Sequence, residues 1–412
     1  MKAASVPSIN PSPVSLRASR TPLLLIIASI GILALSTNEY QIFYQTHTVA
    51  GKDLIDASRG VLSGHPPWRA FQARLLGPLA FGGFEAIVEW GRTMSPSAYS
   101  AFERVFSLPA TRDLAVLNAF VAMMILAKNF VCFVLLLRYS GSLIKAVGGT
   151  LLGTLLFILL SNYWLYMWDL FELILFCFLA YMVFRHNKIG PGYFILYAVS
   201  LANRESAAFL GVWLLCYATA QALIDRRYAW REVAIGIVLI IIAVAYVTTL
   251  RQHVLIESTL GHETGSVWSA SAIGNSGELH QALGNHLFFI INTKEFFKNL
   301  VSTHFYVDIL VIVLVLHGLI LARLGFIRRS AKLLAIGAFN LILLVSILNF
   351  AAVNETRLFL ICVPFVVFSV VTFSGEIAAF FQRVDREFAS EPHRRRLRYT
   401  DRWADRSNPS SI

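Results

Sequence analysis

Leu201-Ala202-Asn203-Arg204-Glu205-Ser206 sets an arginine beside a glutamate between apolar stretches of about eleven and about seventeen residues. A charge inside a spanning helix costs roughly 2.5–3.5 kcal/mol on insertion scales, so such residues need a partner or a water-filled cavity. Val353-Asn354-Glu355-Thr356-Arg357 places asparagine, acid and arginine in a turn between two further apolar blocks. A third place lies upstream: Lys52-Asp53-Leu54-Ile55-Asp56, then Gly64-His65-Pro66, then Arg74-Leu75-Leu76-Gly77-Pro78-Leu79. Asp53 and Asp56 are three apart and share one face of a helix. Carboxylates and arginines of this kind serve proton transfer and anion binding. They also serve as helix-capping ion pairs and solvated loop charges, and residue types alone leave both readings open.

Membrane helices must position these residues. Of the 412 residues 57% are hydrophobic and only 14% charged, whereas a soluble domain carries roughly 25% charged residues. That excludes an ordinary soluble enzyme. Apolar blocks run at about 22–37, 114–137, 146–160, 164–184, 192–202, 207–223, 233–250, 305–322, 333–352 and 358–374. Each is rich in Leu, Ile, Val, Phe and Ala, so we expect an all-α polytopic membrane protein with about ten transmembrane helices. The first block follows Arg17 and Arg20, but Leu35-Ser36-Thr37 is a poor cleavage site and more spans follow, so it is read as uncleaved. Cys132, Cys177, Cys216 and Cys362 all sit inside apolar blocks, as buried small hydrophobes would.

Charge orients this array. The loops 138–145, 185–191, 224–232 and 323–332 hold 11 Lys or Arg in 34 residues, while segments 38–113 and 251–304 hold 10 in 130. Short basic loops stay in the cytoplasm, which puts both termini there and both long segments on the outer, periplasmic face. The net charge of +11 therefore reads as membrane orientation, and nucleic acid is not an expected partner. Three units follow: a cytoplasmic N-terminus 1–21, a transmembrane domain 22–375, and a basic cytoplasmic tail 376–412 whose Arg394-Arg395-Arg396 lies against anionic headgroups.

Two outer segments deserve separate readings. Leu75 to Thr93 is partly apolar but carries Glu85 and Glu89, as an interfacial or re-entrant helix would. Segment 251–304 mixes five glycines with Trp268 and paired phenylalanines, as expected of a flexible loop covering a cavity. Basic loops bracket 192–223 on both sides, so two short helices must meet with Arg204 and Glu205 at or below the outer surface. Interrupted helices at that depth line protein-buried cavities.

Taken together, Asp53, Gly64-His65-Pro66, Arg74-Leu75-Leu76-Gly77-Pro78-Leu79, Asn203-Arg204-Glu205 and Glu355-Thr356-Arg357 resemble the GT-C superfamily of polytopic glycosyltransferases, notably the polyprenyl-phosphate-sugar mannosyltransferases. The resemblance covers residues about 20–375 as topology plus short motifs. Two departures stand out: the position just after the first span, where the family often carries an acidic pair, is Asn38-Glu39 here, and an outer C-terminal domain is missing.

The resemblance implies a sugar donor on a polyprenyl phosphate, a glycan, lipid or protein acceptor, and inversion at the anomeric carbon. It implies a loop acid as general base, Asp53 before Asp56 or Glu39. Arg74, Arg204 and Arg357 would receive the donor phosphate, with Glu205, Glu355 and His65 in support. Some members use a divalent metal with the loop acid, whereas no His pair here has metal-ligand spacing. Two other classes compete: a polymerase or ligase of lipid-linked oligosaccharides, and a lipid-linked sugar transporter or flippase. Transporters usually show internal repeats, and the echo of Asn203-Arg204-Glu205 in Asn354-Glu355-Thr356-Arg357 is faint.

Overall fold

A computed structural model describes residues 21–47, 51–65, 74–106, 114–160, 167–185, 189–250, 305–350 and 356–376, with isolated positions between and after them. The chain divides into two compact units, residues 1–368 and 369–412. All the regular elements among the described residues are helical.

In the first unit α1 is Thr21–His47, α2 Gly51–Leu62, α3 Leu76–Met94, α4 Pro96–Phe106, α5 Ala115–Ser140 and α6 Leu143–Leu160. Then come α7 at Met167–Arg185, α8 at Pro191–Asn203, α9 at Ala208–Asp225, α10 at Trp230–Thr249, α11 at Phe305–Ile327 and α12 at Ala331–Phe350. Among the described residues, eight segments are long and apolar enough to cross a membrane, the last being Phe359–Glu376. They match eight of the ten expected spans. The other two are α7, into which Asp169, Glu172 and Arg185 bring three charges, and α8, which at 13 residues is about 20 Å long against roughly 30 Å of hydrocarbon.

Outward faces of the spans are apolar: Ile237, Ile241 and Val244 on α10, and Ile312, Leu316 and Leu319 on α11, are all exposed. Contiguous apolar surface of this kind belongs against lipid. Inside, α5 packs with α1, α6 and α7, while α9 packs with α10 and α12, and α11 with α12. Small residues permit the closest approach. A Cβ on Gly211 of α9 would lie 2.6 Å from the Gly236 carbonyl of α10, a backbone contact that membrane helices use in place of hydrophobic burial.

A buried polar network fastens α1. Glu39 accepts from the Lys128 ammonium and, at 2.7 Å, from Asn129 Nδ2. Asn129 Nδ2 also lies 3.0 Å from Ser36 Oγ, and Thr154 Oγ1 of α6 donates to Asn129 Oδ1 at 3.0 Å. The Lys128 ammonium lies 3.9 Å from the Phe157 ring centroid. Glu39 is thus bonded into the core with 1% exposure. It holds α1 against α5.

Helix α3 has three faces. Phe81 meets Phe120 of α5 edge-on and Phe84 meets it tilted, with centroids 5.5 and 5.6 Å apart. Phe120 is about 8 Å from the start of a helix about 39 Å long, near the hydrocarbon boundary. Glu85, Glu89 and Arg92 share a second face, and Glu85 pairs with Arg59 of α2 at 2.6 Å. Leu79, Ile87, Trp90 and Met94 form an exposed third face, as in a helix lying in the membrane plane. Nitroxides at 87 and 94 in nanodiscs should relax with oxygen and resist a water-soluble nickel complex, with the reverse at 89. Equal access to the nickel complex at all three would place α3 in water.

Candidate functional site

The local sequence interrupts the helix at Arg204. Gly190 is extended at the N-cap of α8 and Pro191 opens it, where the missing N–H costs no hydrogen bond. After Asn203 the backbone of Arg204 is extended, with φ −167° and ψ 161°. A single 3-10 turn, Glu205–Ala207, leads into α9.

The three residues around the break reach different partners. Asn203 Nδ2 donates to the Trp168 carbonyl at 3.1 Å. Arg204 Nη1 donates to Asp169 Oδ1 at 3.2 Å and Glu172 Oε2 at 2.9 Å. Glu205 Oε1 accepts from Arg74 Nη2 at 3.2 Å, with Arg204 Nε 3.8 Å from the same oxygen. The Arg74 guanidinium carbon lies 5.0 Å from the centroid of the Trp168 ring, within cation–π range. The next residue, Leu75, donates its N–H to the Ala202 carbonyl at 2.9 Å. The start of α3 is therefore tied to the break by a backbone bond and an ion pair, and to α7 by a ring contact.

Two guanidiniums face three carboxylates, leaving one negative charge in excess. Asp169 and Glu172, three apart on α7, would repel one another on a shared face. Arg204 lies between them. The side chains of Arg74, Arg204, Asp169 and Glu172 are at most 11% exposed, whereas that of Glu205 is 40% exposed. Removing one partner from a buried pair costs about 3–5 kcal/mol, so Arg204 with its α7 acids is a fixed element. The pair made by the accessible Glu205 contributes about 1 kcal/mol or less. Chemically, the arrangement presents two arginine forks around one accessible point, the geometry that receives phosphate or carboxylate.

Of the residues singled out in the sequence, Arg74, Arg204 and Glu205 come together. Glu205 sits nearer the Arg74 guanidinium than that of its chain neighbour. Asp56 and His65 are exposed on α2 and just after it. Asp53 lies on α2, but its side chain is outside the described residues, as is that of Arg357, whose backbone joins the 3-10 segment Thr356–Cys362. Glu355, almost all of 251–304 and the basic tail also lie outside the described residues.

Asp169, Glu172 and Trp168 complete the cluster and were not among the candidates. Their signal was two acids three residues apart inside the apolar block 164–184, subject to the same insertion penalty that pointed to Arg204. Among the described residues, no group of three or more His, Cys, Asp or Glu is placed to hold a metal ion. An apolar groove between α8 and α10 is lined by Phe194, Tyr197, Val238 and Ile242 and by none of the cluster residues. No family model matches the chain, and no curated protein or solved structure matches it either.

Proposed function

We propose that the protein is a membrane glycosyltransferase that moves a sugar from a polyprenyl-phosphate donor to a glycan, lipid or protein acceptor, with inversion. The observation that carries this reading is the meeting of Arg74 and Arg204 at one carboxylate, from positions 130 residues apart. One arginine comes from the segment after α2 and the other from an interrupted membrane helix. Such a pair, held in a region of restricted water, suits the phosphate of a lipid-borne donor entering sideways from the bilayer.

In this reading the chain crosses the bacterial inner membrane about ten times, counting α7 and the interrupted α8–α9 unit, with the cluster facing the periplasm. Asp53 takes the acceptor hydroxyl proton as that oxygen attacks the anomeric carbon, and phosphate leaves from the opposite face. Helix α2, which carries Asp53, is joined to α3 through Arg59 and Glu85. Helix α3 in turn begins at the cluster, which ties the acid-bearing helix to the arginines. Arg357 would add a further phosphate contact, with Glu355 and His65 in support.

Transfer of radiolabelled sugar from a panel of polyprenyl-phosphate donors, by purified protein in lipid, tests this. Asp53→Asn should lose at least about a hundredfold in rate with donor binding kept, while Asp56→Asn should lose less. Movement of the lipid-linked substrate between leaflets without transfer would make Arg74 and Arg204 residues of a translocation pathway instead.

A further inference from the structure

The carboxylate of Glu205 occupies the point where an anion would sit between the two arginines. It accepts from Arg74 Nη2 at 3.2 Å and lies 3.8 Å from Arg204 Nε. Asp169 and Glu172 engage a different nitrogen, Arg204 Nη1, so they hold the guanidinium from behind without covering its Nε edge. Among these three acids the two on α7 are buried and only Glu205 is accessible, at 40% exposure. Its backbone belongs to a single 3-10 turn that follows the extended Arg204, so a change of its side-chain rotamer does not require a long helix to unwind.

From this geometry we infer that Glu205 is a displaceable stand-in for a phosphate group: it fills the site when empty and yields to the ligand. This deepens the donor-phosphate reading above and rests on it. Displacement has a physical basis. A phosphate offers more oxygens and more negative charge than a carboxylate, so it satisfies both forks at once. The fixed acids behind Arg204 cannot follow the ligand, which confines the exchange to Glu205. Built-in competition lowers affinity for any weak anion and keeps one carboxylate oxygen against both guanidiniums between turnovers.

The test is binding of farnesyl phosphate and of inorganic phosphate to the full chain in neutral phosphatidylcholine nanodiscs, by calorimetry. Glu205→Gln removes the competing charge and should tighten farnesyl phosphate about fivefold to tenfold. Glu205→Asp, which keeps the charge but shortens the reach, should tighten it less and guards against a folding defect in the first variant. Arg74→Gln should abolish the gain. Tightening of farnesyl phosphate well beyond inorganic phosphate marks the ligand as lipid-borne, and equal tightening of both marks a free phosphate. If wild type binds and both Glu205 variants bind equally or more weakly, Glu205 is no stand-in and the donor site stands without it. If neither wild type nor Glu205→Gln binds either probe, the donor-phosphate reading falls as well.

Discussion

Arg204→Gln should destabilise the protein by about 3–5 kcal/mol, because it removes the guanidinium that lies between the buried carboxylates of Asp169 and Glu172. The loss is read as a lower unfolding midpoint in an SDS titration of the protein in mixed micelles. Neutralising the acids tests the cause. Asp169→Asn with Glu172→Gln in the Arg204→Gln background should recover most of the stability, since amides can bond one another without net charge. Arg204→Lys should fall between, because an ammonium keeps the charge but cannot present separate edges to the α7 acids and to Glu205. A wild-type midpoint for Arg204→Gln would mean that water reaches the cluster freely and that the break is not held by these pairs. The recovered triple variant should still fail to bind farnesyl phosphate, which separates the holding role of Arg204 from its ligand role.

Lys128→Met carries the second large effect, about 3–5 kcal/mol by the same reasoning. Glu39 would keep Asn129 but lose the Lys128 ammonium, at 1% exposure in the core between α1 and α5. Adding Glu39→Leu should restore much of the loss, since an apolar pair of similar volume removes the desolvation penalty from both sides. Arg92→Gln, which breaks the exposed pair with Glu89 at 3.4 Å, should leave the midpoint unchanged within about 0.5 kcal/mol. If Lys128→Met behaved like Arg92→Gln, the Glu39 network would not be what holds α1. Because α1 carries none of the cluster residues, the Lys128 variants should also leave the affinity for farnesyl phosphate intact once refolded protein is selected.

The interruption at Arg204 was legible in the sequence because hydropathy is a local quantity. Two stretches too short to span, with charges between them, have few solutions in a medium that cannot solvate backbone groups. The same argument applied to 164–184 would have exposed Asp169 and Glu172. Nineteen residues, Met167–Arg185, suffice as a span by length, and that length masks the two acids. Lys128 was hidden in the same way, inside the 26 residues of α5.

The sequence by itself determined that the chain is helical and rich in membrane-crossing segments, and that an arginine and a glutamate meet at a break between two of them. Tertiary structure decided the pairing: Arg204 with Asp169 and Glu172 of α7 as well as with its neighbour Glu205, Glu205 with Arg74, and Glu39 with Lys128. The physical reason lies in the solvent. In water the buried face of a helix differs in polarity from the exposed one, and the period of that difference reveals which faces meet. In a membrane, lipid-facing and core-facing positions are both apolar, and association is driven by close packing and a few polar contacts. Hydropathy then marks where helices are but not which sides touch, so the partners of buried charges emerge only when the helices are packed.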